Sequence, residues 1–134
     1  MNIRGINHLT FIVRDLGRMA QFLCEGLGAI EIYDSIEKNF SKSREKFFML
    51  GELWLVAMEG EPPAERRYQH VAFDVDEADI PLFEQRLRAL GVDIEPPRPR
   101  VPGEGVSLYF RDFDNHLFEL HAGTLAQRLE RYRR

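Results

Sequence analysis

Two histidines and a glutamate stand out for the chemistry they could share. His8 and His70 open matching apolar segments, Ile6–Val13 and Gln69–Val75, and Glu119 lies in a third alternating segment, Leu117–His121. Neutral imidazole nitrogens and a carboxylate oxygen suit a divalent first-row metal such as manganese or ferrous iron. Three such ligands leave positions of an octahedral ion open for water or substrate. A lone histidine is more often a hydrogen-bonded core residue. Two at matched positions, with Glu119 on the corresponding strand, reverse that expectation.

The direction of these side chains follows from strand geometry, because successive residues point to opposite faces. Leu9, Phe11 and Val13 make one apolar face and leave His8 and Thr10 on the other; Val71, Phe73 and Val75 likewise leave His70 opposite. Phe118 and Leu120 are the apolar set of the last strand, so Glu119 and His121 share the remaining side. The Glu119 position of the first half falls near Leu55, which is apolar and would hold open the substrate side.

Further candidates come from two polar stretches. In Ser41–Met49 the cations Lys42, Arg44 and Lys46 alternate with Ser43, Glu45, Phe47 and Met49. A carboxylate beside Phe47 and Met49 would be partly desolvated, as a general base requires; an exposed Glu45 paired with a neighbouring lysine is an equal alternative on pattern alone. In Pro96–Gly105 the prolines hold Arg98 and Arg100 in an extended loop that runs into Ser107 and Tyr109 on one strand face. These groups could recognise an anion through charge-assisted hydrogen bonds, and a solvated loop is the plainer reading. His116 reads as structural, His121 as a supporting or core residue, and the single cysteine, Cys24, as a buried inert thiol.

The elements that must position these residues occur twice. Each half reads as a strand, an amphipathic helix closed by glycine (Asp15–Leu27 with Gly28, Asp79–Leu90 with Gly91), and three strand-like segments. In the first half these are Glu31–Ile36, Lys42–Leu50 and Leu53–Met58; in the second, Val92–Glu95, Val106–Arg111 and Leu117–His121. The fold class is therefore α+β, two βαβββ repeats in one domain of 134 residues. The first module covers 1–58, a proline- and glycine-containing connector 59–65, the second module 66–123, and a short helix 124–134 opened by a capping box at Thr124. The formal net charge of −4 has both signs interspersed, which excludes a basic stripe for nucleic acid. No apolar run approaches a membrane span and no signal core follows Met1, so the sequence reads as cytoplasmic.

Four stretches carry a family likeness: Ile6-Asn7-His8-Leu9-Thr10, Ser43-Arg44-Glu45-Lys46-Phe47-Phe48, Arg98-Pro99-Arg100-Val101, and Asp114-Asn115-His116-Leu117-Phe118-Glu119-Leu120-His121-Ala122-Gly123-Thr124-Leu125. From Ile6 to about Tyr132 the chain resembles the vicinal oxygen chelate superfamily, with its glyoxalase/bleomycin-resistance fold. It is similar in particular to the FosX-type fosfomycin resistance hydrolases. The resemblance implies a manganese-dependent enzyme that opens the epoxide of fosfomycin with water to an inactive diol. His8, His70 and Glu119 match the metal ligands and Glu45 the general base. Thr10, Ser107, Tyr109 and Arg128 match residues around the phosphonate, with Arg98 or Arg100 as the loop cation. It also implies a homodimer whose metal is shared, His8 coming from one subunit and His70 and Glu119 from the other. Val106 departs from the pattern, since close relatives usually carry a basic residue before the serine. Two alternatives remain: a thiol transferase adding glutathione, cysteine or another thiol, whose relatives lack the Glu45 equivalent, and a metal-free drug-sequestering protein of the same fold.

Overall fold

The computed structural model describes residues 1–36, 43–98 and 100–134. Lys42, where a strand was expected to start, and Pro99 of the arginine loop lie outside the described residues. The chain divides into two compact units, Met1–Ala64 and Glu65–Arg134.

In the first unit β1 (His8–Val13) leads into α1 (Leu16–Gln21), followed by β2 (Ile30–Asp34), β3 (Glu45–Leu50) and β4 (Leu53–Glu59). Asp15 caps α1, its carboxylate accepting from the Arg18 N–H at 3.0 Å. The helix expected to run on to Leu27 instead widens into a π-type turn over Phe22–Gly26, in which Phe22 and Leu23 are both fully buried. Gly28, at φ +80°, then reverses the chain into β2.

The sheet order is β1-β4-β3-β2, with β1 parallel to β4 and the other pairs antiparallel. Val13, Phe48, Leu55 and Ala57 are fully buried with Leu16 and Met19 of α1. The opposite face carries the polar set: His8 lies opposite Trp54, Thr10 opposite Val56, and Glu45 opposite Met58.

The second unit repeats this grammar. β5 (His70–Asp74) is followed by a single 3₁₀ turn, α2 (Ile80–Ala89), β6 (Asp93–Ile94), β7 (Val106–Arg111) and β8 (Leu117–Ala122), in the order β5-β8-β7-β6. Pro81 sits in the first turn of α2, where a missing N–H costs no hydrogen bond. The strand expected over Val92–Glu95 shrinks to two residues. Pro96 and Pro97, which follow, offer no N–H to a ladder. Phe110, Phe118, Leu108 and Leu120 bury one face of this sheet, with Leu87 of α2 also in the core.

Between β7 and β8, Asp112 accepts the N–H groups of Asp114 and His116, both at 2.9 Å, and Asn115 takes φ 67°, forming the expected hairpin loop. α3 (Leu125–Tyr132) begins at Thr124 with both bonds of a capping box. The two βαβββ repeats thus stand as read. No helix among the described residues is long and apolar enough to cross a membrane.

Candidate metal and anion site

In the second unit the strand pairing places Glu119 opposite both Ala72 and Tyr109, and His121 opposite both Asp74 and Ser107. Residues paired in this way share a face, so His70, Tyr109, Ser107, Glu119 and His121 emerge from one side of the sheet. His70 brings its Nε2 to 3.1 Å from Oε1 of Glu119. Its Nδ1 lies 2.7 Å from the carbonyl oxygen of Tyr68. A carbonyl only accepts, so Nδ1 carries a proton, and in the neutral imidazole the Nε2 lone pair faces the carboxylate. Two electron pairs pointed at one another are stable with a cation between them, and a second-shell carbonyl on Nδ1 is the usual support of a metal-binding imidazole.

Oε2 of Glu119 has different company. The Ser107 hydroxyl donates to it at 2.5 Å, and Nδ1 of His121 lies 3.2 Å away. Burial alone would raise the Glu119 pKa, but hydrogen bonds from Ser107 and Tyr109 and the nearby imidazoles of His121 and His70 hold it below the usual carboxylate range. Tyr109 responds in the opposite sense. Burial, then its hydrogen bonds with Tyr68 and Glu119, push its phenol up to about 12, so it stays a neutral donor. A concavity of about 360 Å³ on this face is lined by His70, Ala72, Glu119, His121 and Arg128.

The loop arginines separate. Arg98 is exposed, whereas the Arg100 side chain is only 12% exposed and places Nη2 3.8 Å from Oε2 of Glu119. Its buried Nη1 has no hydrogen-bond partner among the described residues. An unsatisfied buried guanidinium N–H is costly, and an anionic oxygen arriving there would relieve that cost. Both arginines also line a cavity of about 660 Å³ together with Ser107 and Tyr109.

His8 belongs to the first unit. Its Nδ1 is 2.7 Å from the side-chain oxygen of Asn7, and its ring packs on Trp54 with centroids 4.3 Å apart. The arrangement parallels that of His70, with Nδ1 facing an amide oxygen in both. Among the described residues no group of three or more His, Cys, Asp or Glu side chains is close enough to hold a metal ion. The structure therefore brings together His70 and Glu119 of the expected ligand set, within one unit, and places His8 in the other.

Glu45 is buried, at 8% exposure, on the same sheet face as His8 and Thr10. Its backbone N–H donates to the Ser35 hydroxyl at 3.0 Å, which fixes the start of β3. Lys46 points the other way, to Glu31 at 2.9 Å and Asp34 at 3.1 Å. Among the described residues Glu45 makes no ion pair, and it is buried rather than exposed. One expectation needs correction. The first-half counterpart of Glu119 is Val56, opposite Thr10 as Glu119 is opposite Ala72, and not Leu55, which is fully buried on the helix side. A one-residue slip in aligning strands exchanges faces, although the position remains apolar.

A model of the Glyoxalase/Bleomycin resistance protein/Dioxygenase superfamily matches residues 5–120. The chain is 54% identical to the fosfomycin resistance protein FosX of Mesorhizobium japonicum, over 96% of this chain and 93% of that protein. It is 52% identical to FosX of Listeria monocytogenes, over 97% and 98%. The chain belongs to the FosX family of that superfamily. A crystal structure of a Listeria monocytogenes FosX variant with Mn(II) and 1S,2S-dihydroxypropylphosphonic acid matches with TM-score 0.88 and 50% identity, covering 98% of this chain and 99% of that one.

In this FosX-family chain, sequence reasoning missed the parts played by Tyr68 and Trp54. Tyr68 lies two residues before His70 and outside any strand, so nothing in its spacing announces that its carbonyl holds the imidazole. Trp54 is fixed against His8 by register between β1 and β4, which pattern alone does not specify. Nδ1 of His116 donates to the Asp112 carboxylate at 2.7 Å and serves the hairpin, as expected.

Proposed function

We propose that this chain hydrolyses the epoxide of fosfomycin, adding water to give an inactive diol and so conferring resistance. The observation that carries the reading is the His70–Glu119 pair, an imidazole nitrogen aimed at a carboxylate oxygen while the other ring nitrogen is held by the Tyr68 carbonyl. His8, His70 and Glu119 would hold manganese or another divalent cation. Bound there, the cation supplies Lewis acidity toward the oxygen on which charge develops as the ring opens.

The remaining work belongs to the chain's own groups. Glu45 takes a proton from the attacking water while the water oxygen bonds to an epoxide carbon and the carbon–oxygen bond of the ring breaks; the released oxygen then takes a proton from solvent water, and Glu45 returns its own to solvent. Arg100, whose Nη1 lies 3.7 Å from Glu104 and makes no hydrogen bond among the described residues, offers that nitrogen to the phosphonate, with Arg128 as a second cation. Ser107, Tyr109 and Thr10 add hydroxyls, and the raised pKa of Tyr109 keeps its own protonated. A desolvated carboxylate at position 45 favours water over a thiol as the nucleophile, because a base is what water lacks and a thiolate does not need.

The functional particle is read as a homodimer in which His8 of one subunit completes the site formed by His70 and Glu119 of the other. Its place is the cytoplasm, where a protein with one cysteine and no disulfide is at home. The deciding experiment is a product assay on fosfomycin with Mn²⁺, with and without glutathione or cysteine. The diol formed without thiol is the expected result. A thiol adduct as the main product, or no turnover with metal present, overturns the reading.

A further inference from the structure

We infer that His121 is a positioning residue, which aims the Arg128 guanidinium at the anionic group of the substrate and turns the Ser107 hydroxyl toward Glu119. Nη2 of Arg128 lies 3.3 Å from Nε2 of His121. Arginine only donates, so Nε2 must be the acceptor and the ring proton must sit on Nδ1. Nδ1 is 2.7 Å from the Ser107 oxygen, which therefore accepts from it and turns its own hydrogen to Glu119. The chain of donation runs in one direction, from Arg128 through His121 and Ser107 to Oε2 of Glu119. Nδ1 of His121 also lies 3.2 Å from Oε2 of Glu119, so both of its neighbours accept and the direction is the same.

The ring occupies a slot built for it. A Cβ on Gly123 would stand 2.9 Å from Nε2 of His121. One on Gly105, which is at φ +85°, would stand 3.1 Å from Cε1 and Nε2 and collide with the Ala122 carbonyl. The two glycines thus leave room for the imidazole edge and hold its plane. His121 is itself placed by β8, two residues beyond Glu119 and on the same face, opposite Ser107 of β7. Its consequence is directional: Arg128, on the mobile-by-nature end of a long side chain, is tied by one nitrogen and keeps the rest of its fork for an anion.

This rests on the proposed phosphonate contact of Arg128, and the test separates the two. Long-range ¹H–¹⁵N NMR of the protein without metal should show the His121 ring proton on Nδ1. Kinetics of the Mn²⁺-loaded enzyme on fosfomycin should show KM raised about tenfold in His121→Leu, with kcat within about threefold and Mn²⁺ affinity, measured by EPR, within about threefold of wild type. His121→Gln, which can still accept from Arg128, should recover part of that loss. Gly123→Ala, whose backbone accepts alanine, should reproduce it by displacing the ring. An Nε2–H tautomer, an unchanged KM in His121→Leu, equal losses in the Leu and Gln variants, or a tenfold loss of Mn²⁺ affinity would each overturn the role. A wild-type protein without fosfomycin turnover would defeat the hydrolase reading, while the tautomer would still decide the donation chain.

Discussion

Nε2 of His70 stands 3.1 Å from Oε1 of Glu119 with its other nitrogen committed to the Tyr68 carbonyl. A divalent cation binding there satisfies both groups at once. Because it would bind the folded state and not the unfolded one, Mn²⁺ at about a hundredfold over its Kd should stabilise the protein by about 2.7 kcal/mol. Thermal melts should show a Tm rise of several degrees. In His70→Ala and Glu119→Gln that rise should vanish. An equal rise in these variants would place the metal elsewhere.

Glu45 is buried on the face that carries His8 and Thr10. As the general base, its loss should cost about 10²–10⁴ in kcat, with the metal still bound because Glu45 is not one of the ligands. Glu45→Gln keeps the side-chain shape and removes the basic oxygen. Turnover by stopped assay and Mn²⁺ content by EPR check the two halves of the statement. Near-normal turnover in the variant would assign the proton to another group.

The sequence carried the αβ grammar and most of this site because periodicity reports faces directly. His8, Glu45, His70 and Glu119 could be sorted onto the open sides of their strands from alternation alone, and the pairings show them there. What escaped depends on register and on backbone groups. Whether Leu55 or Val56 stands in the place of Glu119 turns on a one-residue offset between β1 and β4, which the apolar run Leu53-Trp54-Leu55-Val56-Ala57 does not resolve. The Tyr68 carbonyl has no side-chain signature at all. His121 was visible as a polar residue on the right face. Its link to Arg128 was not, because it crosses from β8 to α3 through a turn of two residues.

The loop cation can be assigned by comparing its two arginines. Arg100 is enclosed beside Glu119 and Glu104, whereas Arg98 is exposed. Truncating a charge-assisted contact to a bound anion costs about 1.5–3 kcal/mol, or roughly 10- to 150-fold in affinity. Arg100→Ala should raise KM for fosfomycin by that order, and Arg98→Ala by less than about threefold, where solvent already screens the charge. Steady-state kinetics on the two variants decide between them. A larger effect at position 98 would reverse the assignment.

Glu104 ties the same loop to the C-terminal helix. Its carboxylate accepts the Val101 N–H at 2.9 Å and the Tyr132 hydroxyl at 2.9 Å. The Val101 bond first, then the Tyr132 bond, holds the Glu104 pKa below the ordinary value of 4.5. Between the two pKa values the unfolded chain binds the extra proton, so stability rises with pH there. The contribution is complete above the ordinary carboxylate value and is lost as the pH falls through the lower, folded one. Urea unfolding of wild type and Glu104→Gln across that range should therefore show wild type the more stable near neutrality and the two curves converging in acid. Because the loop carries Arg100, Tyr132→Phe should reduce the same neutral-pH advantage while also raising KM. A gap between wild type and Glu104→Gln that persists unchanged into acid would mean that the charge of Glu104 does not hold the loop.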